Sequence, residues 1–192
     1  TEDGINGAGR TITRLWRLVL ESRANIAPRG TAIPSDLDDI SRALRRKTNQ
    51  CLKKITESIE GGYQCNTAIA RTNELLNQLR SSRDQAHPVV LREALEVIIT
   101  CLSPIIPHFA DECWSRMGHD RSVFDCSWPE YDAEAAKEDV LEIPVQINGK
   151  VRARISVQPD LTKEELEKIA LDDPKVKANI EGQSIARVVV VP

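Results

Sequence analysis

Apolar residues recur at steps of three and four along the first 118 positions, the period of an amphipathic helix. Between residues 5 and 24, Ala8, Ile12, Leu15, Trp16, Val19 and Leu20 share one face, and Arg10, Arg14 and Arg17 form a separate stripe. The stretch "APRGTAIPSD" breaks the pattern with Pro28, Gly30 and Pro34, and Ser35 or Asp36 is expected to cap a second helix. That helix keeps Leu37, Ile40, Leu44, Cys51, Leu52, Ile55 and Ile59 on one side. Arg42, Arg45, Arg46, Lys47, Lys53 and Lys54 lie largely on the others, and Gly61-Gly62 ends it. A third helix is predicted from about Gln64 to Leu79 and a fourth from Pro88 to Leu102. Pro104 and Pro107 then interrupt the pattern, because proline removes a donor and clashes with the preceding turn. A fifth segment built on Ile106, Phe109, Ala110, Cys113, Trp114 and Met117 stops at Gly118. Short connections between such helices favour an antiparallel bundle.

Beyond "SVFDCSWPEYDAEAAKED", which reads as an extended strap, the period changes to two. Leu141, Ile143, Val145 and Ile147 alternate, as do Val151, Ala153, Ile155 and Val157, so both segments are predicted as half-buried strands. Thr162 and Glu165 have the spacing of a capping box opening the helix "TKEELEKIAL", and a last apolar run spans Ile185 to Val191. The expected fold is mainly α: an antiparallel helical bundle with its strap over residues 1–132, then a small α+β domain over 138–192 ordered strand, strand, helix, strand.

The hairpin raises a question of parity. With Asn148-Gly149 alone as the loop, every odd residue faces an even one, setting Val145 beside Arg152 and mixing cations into the apolar face. A three-residue loop, Ile147-Asn148-Gly149, pairs Val145 with Val151, Ile143 with Ala153 and Leu141 with Ile155, and the apolar sets coincide. Lys150, Arg152 and Arg154 then stand about 7 Å apart on the other face, with Glu142 across from Arg154, a row of donors suited to phosphates. A charged outer face is also ordinary for a small sheet. The helix stripes admit the same plain reading, Arg17 pairing with Glu21 four residues on.

With 26 Lys and Arg against 29 Asp and Glu, the net charge of −3 announces no polyanion partner, so any basic site is a local patch. No run of about 18 apolar residues and no charged-then-apolar leader is present, and a soluble, cytoplasmic chain is expected, with no membrane partner. Five scattered cysteines without a Cys-x-x-Cys spacing argue against disulfides and zinc, and are read as small core residues. No nucleophile elbow, phosphate loop or dinucleotide turn occurs, and His87, His108 and His119 lack a paired carboxylate. No catalytic or metal-binding residue is assigned. Trp16, Trp114 and Trp128 are read as core or strap anchors.

Three stretches carry a resemblance. "LSPIIPHFADECWSRMG" (Leu102 to Gly118) resembles the proline-broken final helix of the anticodon-binding bundle in class I aminoacyl-tRNA synthetases, and "YQCNTAIARTNELLNQL" (Tyr63 to Leu79) resembles its middle helix. "SWPEYD" followed by "EDVLEIPVQINGKVRARISV" closely resembles the leucyl-tRNA synthetases of bacteria and organelles, where their small C-terminal domain begins. The resemblance implies a piece of a longer, monomeric enzyme that joins leucine to its tRNA. In that family the catalytic part, with His-x-Gly-His and Lys-Met-Ser-Lys-Ser motifs and its ATP and magnesium, precedes this region, and an inserted domain edits. Neither motif occurs here, so no cofactor is expected in this piece, whose partners would be leucine tRNA and those missing catalytic and editing domains. The bundle would lie along the tRNA without reading the anticodon. The family chain usually continues with a further strand, and both ends here are read as cuts. The resemblance implies phosphate contacts from Arg10, Arg14 and Arg17, from Arg42, Arg45, Arg46, Lys53 and Lys54, and above all from Lys150, Arg152 and Arg154. Two other readings are a protein-binding helical module with an open apolar groove, and an enzyme with a pocket around His108.

Overall fold

The second helix starts where Asp38, not Ser35 or Asp36, turns its carboxylate back on the first turn, accepting from the Ser41 amide and the Ser41 hydroxyl at 2.8 Å each. Those bonds favour the ionised form and hold its pKa below the ordinary value, the Ser41 amide first. The helix therefore starts two or three residues later than Ser35 or Asp36 would place it. The Ser41 hydroxyl in turn accepts the His87 amide at 2.8 Å, fixing the start of this helix beside the start of the fourth. The computed structural model describes residues 2–137, 141–157, 161–180, 185 and 187–190. Its elements are α1 (Glu2–Ser22), α2 (Asp39–Glu60), α3 (Cys65–Ser82), α4 (Pro88–Leu102), α5 (Pro107–Arg116), β1 (Leu141–Ile147), β2 (Lys150–Val157), α6 (Lys163–Asp172) and α7 (Pro174–Ile180). The chain divides into two compact units, Thr1–Ala136 and Lys137–Pro192.

In the first unit α4 is the central staff. Eleven of its fifteen residues are buried, so it is apolar on nearly every side, as a surrounded helix must be. Leu15 and Val19 of α1, Leu44, Leu52 and Ile55 of α2, and Leu75, Leu76 and Leu79 of α3 belong to the same core, each at most 2% exposed. Full burial of such a side chain stabilises by about 1.5–3 kcal/mol before its entropy cost. Ala8, placed on the apolar face by periodicity, is exposed. Pro107 becomes the first residue of α5, where its missing N–H costs nothing. Trp16 packs its ring 6.1 Å from that of Phe109, tying α1 to α5. The strap lies along α2: the Trp128 indole donates to the Thr56 hydroxyl at 2.9 Å, and the Gln50 amide donates to the Ala136 carbonyl at 3.0 Å.

The second unit is built on the hairpin. β1 and β2 pair antiparallel, and the loop has two residues, Asn148 at φ 51° and Gly149 at φ 77°, the positive angles that a twist-matched tight turn needs. The expected three-residue loop is corrected. Ile147 pairs with Lys150 and Gln146 with Val151, then the register jumps so that Val145 meets Ala153 and Ile143 meets Ile155. Arg152 is the extra residue of a β-bulge, and one inserted residue restores the parity that the short turn breaks. Ala153, Ile155 and Val157 are buried, with Val176 of α7. Thr162 and Glu165 form the capping box that opens α6, and those bonds hold the Glu165 pKa low. The expected third strand is absent among the described residues: Ile185 and 187–190 form none, and Val189 is 61% exposed. Val191 and Ala186 lie outside the described residues.

Candidate nucleic-acid interface

Arg10, Arg14 and Arg17 lie exposed on α1, spaced four and three residues apart, and none forms an ion pair among the described residues. The partner expected for Arg17 is taken: Arg83, beyond the end of α3, reaches Glu21 as well as Asp84, and these acids raise its pKa, Asp84 first.

The cations of α2 are mostly engaged within the bundle. Arg42 bonds Asp39 and the Leu37 carbonyl. Arg45 donates to Asp132 of the strap at 2.7 Å and lies 3.4 Å from Glu93 of α4. Asp132 also accepts from the Glu134 and Ala135 amides, and these bonds with Arg45 keep its pKa low, the Ala135 amide first. Glu93 moves the opposite way, its pKa raised chiefly by burial against the attraction of Arg45. Arg46 also has an intramolecular partner. Lys53 holds its ammonium 5.7 Å from the centre of the Tyr131 ring. Lys47 is bound to Glu74 at 2.7 Å, which Arg71 grips as well. Lys54 is exposed.

On the hairpin, the bulge breaks the expected row. Lys150 sits opposite Ile147, on the side that Ala153 and Ile155 share, and Arg154 sits opposite Pro144 on the other. All three cations are exposed, Arg152 at the bulge and Arg154 with an intramolecular partner of its own. Glu142 pairs with Ser156, so it is not across from Arg154.

A cleft of about 360 Å³ in the first unit is lined by Asn49, Arg92, Glu93, Glu96, Trp114 and Glu130 among others. Arg92 and His119 both meet Glu96 at 2.9 Å, and the His119 ring stacks on Trp114 with centroids 3.7 Å apart. Burial lowers the His119 pKa, Glu96 pulling it back up in part. This polar node went unread in the sequence, although the four-residue step from Arg92 to Glu96 was its visible signal. His108 is exposed and does not line the cleft. The large exposed apolar side chains of this unit, among the described residues, are Ile40, Tyr63, Phe124 and Tyr131. No group of three or more His, Cys, Asp and Glu residues placed to hold a metal occurs there, and no described helix is long and apolar enough to cross a membrane. Cys51, Cys101 and Cys113 are core residues as expected, whereas Cys65 is exposed at the start of α3 and Cys126 is half-buried.

The family described as the anticodon-binding domain of tRNA ligase matches residues 41–168. A leucine–tRNA ligase of Alcanivorax borkumensis is 42% identical over 98% of this chain, and one of Geobacter sp. strain M21 is 37% identical over all of it. The chain spans about a quarter of the length of these curated relatives, 23% and 24% respectively. A solved structure, the ternary complex of Agrobacterium radiobacter K84 LeuRS with tRNA and LeuAMS, superposes over the whole chain with a TM-score of 0.85 at 24% identity, which establishes a shared fold.

Proposed function

The chain belongs to the anticodon-binding domains of tRNA ligases, and from that premise we propose that it is the tRNA-binding part of a leucine–tRNA ligase, holding leucine tRNA for ATP-dependent aminoacylation by domains outside this chain. The observation that carries the reading is the likeness to leucine–tRNA ligases along the whole chain, both units included. The described geometry is compatible with a holding role through the exposed cations on α1 and on the hairpin. ATP and magnesium belong, on this reading, to the catalytic part of the longer enzyme, a cytoplasmic monomer.

Phosphate contacts release counterions, so affinity falls with salt by close to one logarithmic unit per contact for each tenfold rise. A salt titration of the chain with leucine tRNA, beside a tRNA lacking the long variable arm, tests the reading. Salt-sensitive binding that favours leucine tRNA is expected. Absence of salt-dependent RNA binding would refute it.

A further inference from the structure

Two contacts fix how α1 and α3 lie together. The Thr11 hydroxyl bonds Asn73 at 3.1 Å, and Arg83 reaches Glu21, each pair separated by 62 residues in sequence. An identical offset ten residues apart means that the helices run parallel without slipping, so residue n of α1 stands level with residue n+62 of α3. Arg80 is therefore level with Leu18, about 1.5 Å along the axis from Arg17 and about 6 Å from Arg14.

The faces agree as well as the levels. Residues seven apart share a helix flank. Arg14 is seven before Glu21, which accepts from Arg83 just beyond α3, and Arg80 is seven after Asn73, which accepts from Thr11 of α1. Arg14 and Arg80 thus border one furrow from opposite sides, with Arg17 beside them. All three are exposed and without an ion pair among the described residues. Of the acids nearby, Glu21 and Asp84 share Arg83, which leaves one negative charge in that cluster, and on the far flank of α3 Lys47 and Arg71 hold Glu74. Against that one surplus acid stand three arginines, so the furrow keeps a net positive charge among the described residues.

We infer that Arg14, Arg17 and Arg80 form a phosphate-binding furrow between α1 and α3 that grips the backbone of a structured RNA. The inference rests on the RNA-holding reading above and names the surface of this unit that does the holding. Arg14 and Arg17 contribute from α1, a helix that lies outside the stretch matched to the family, and Arg80 joins them only through the parallel packing of α3. Arginine suits the task because its fork of donors fits phosphate oxygens and never loses its charge.

The test uses the whole chain and a leucine tRNA transcript between about 50 and 200 mM salt. Arg17→Ala/Arg80→Ala is compared with Lys150→Ala/Arg152→Ala, which removes the same charge from the other unit. Each lost phosphate contact should flatten the logarithmic salt slope by about 0.7–0.9 and weaken binding at low salt, so the furrow pair is expected to lose about 1.4–1.8. Arg80→Lys should restore most of the slope, as a role in folding would not. Both furrow positions are exposed, and unchanged circular dichroism and melting temperature would show that the bundle is intact. A furrow variant with the wild-type slope and affinity overturns the inference while the RNA-holding reading stands. A wild-type chain with no salt-dependent affinity for the transcript overturns the reading, and the furrow with it.

Discussion

Arg45 joins α2 to the strap and to α4, and replacing it with methionine gives a worked test. Its guanidinium lies 2.7 Å from Asp132 and 3.4 Å from Glu93, with Arg45 and Glu93 only 23% and 22% exposed. At an effective dielectric constant of about 20, the Glu93 contact alone is worth roughly 5 kcal/mol of gross Coulomb attraction. Much of this offsets the cost of desolvating Arg45, a cost the methionine does not incur. Breaking a fully buried pair costs about 3–5 kcal/mol, and partial exposure here reduces the expected loss to about 2–3 kcal/mol. For a chain of this size that lowers Tm by about 4–12 °C. All three tryptophans lie in the first unit, so tryptophan fluorescence follows its unfolding separately from the second. Glu93 already holds its proton more tightly than in the unfolded chain, which destabilises the fold at neutral pH and is relieved as pH falls toward the ordinary glutamate range. Removing Arg45 widens that gap, so the deficit should be largest near pH 7 and shrink on acidification. Arg45→Met/Glu93→Gln should recover part of the loss. An Arg45→Met variant within about 0.5 kcal/mol of wild type, a range typical of surface changes, would refute the reasoning. So would a deficit that does not change with pH.

His119 is buried against Trp114, facing Glu96, Arg92 and Arg29, and burial depresses its pKa; the unfolded chain therefore binds the proton more readily. Stability of the first unit should be full above about pH 6.5 and decline below it, and a His119 NMR titration midpoint above the ordinary value would contradict this. Burial raises the Cys101 and Cys113 thiols to about 12, so iodoacetamide at pH 8 should label exposed Cys65 and leave those two until the chain unfolds, as peptide mass mapping would show. Gly149→Ala forces a side chain onto a φ of 77°, and the cost should be about 1 kcal/mol, read as lost amide protection in β1 and β2. Trp128→Phe removes the indole bond to Thr56 and should cost about 1 kcal/mol in the first unit's stability, with a looser strap seen as faster amide exchange around residues 126–132.

Periodicity found the helices because burial follows it. The apolar stripe of α4 is continuous from Pro88 to Leu102, and the helix has those bounds. It placed the start of α2 too early, because Ser35, Asp36 and Asp38 are all competent caps, and the choice falls to the one whose carboxylate meets Ser41, itself engaged by His87 forty-six residues away. The hairpin shows a different limit. Parity correctly demanded that the apolar sets coincide, but one extra loop residue and one bulge satisfy the same demand, and alternation alone does not separate them. The two-residue turn prevails through Asn148 and Gly149, residues suited to positive φ.

The α2 cations show a related limit. On a helical wheel Arg42, Arg45, Arg46, Lys53 and Lys54 are simply positive positions off the apolar face. Arg45 and Lys53 find partners far off in sequence: Asp132 and Tyr131 from the strap, and Glu93 from α4. A cation whose counter-charge is distant in sequence reads as free until the fold brings the acid to it. The reverse holds at Arg17, whose plain reading pairs it with the acid four residues away, yet tertiary packing gives that acid to Arg83. Packing therefore redistributes the local charge balance, drawing on the α2 cations to hold the strap and leaving the α1 stripe unbalanced. Charge available to a polyanion is best judged by subtracting every acid that the fold supplies, and after that subtraction the free positive charge among the described residues of the bundle lies more on α1 than on α2.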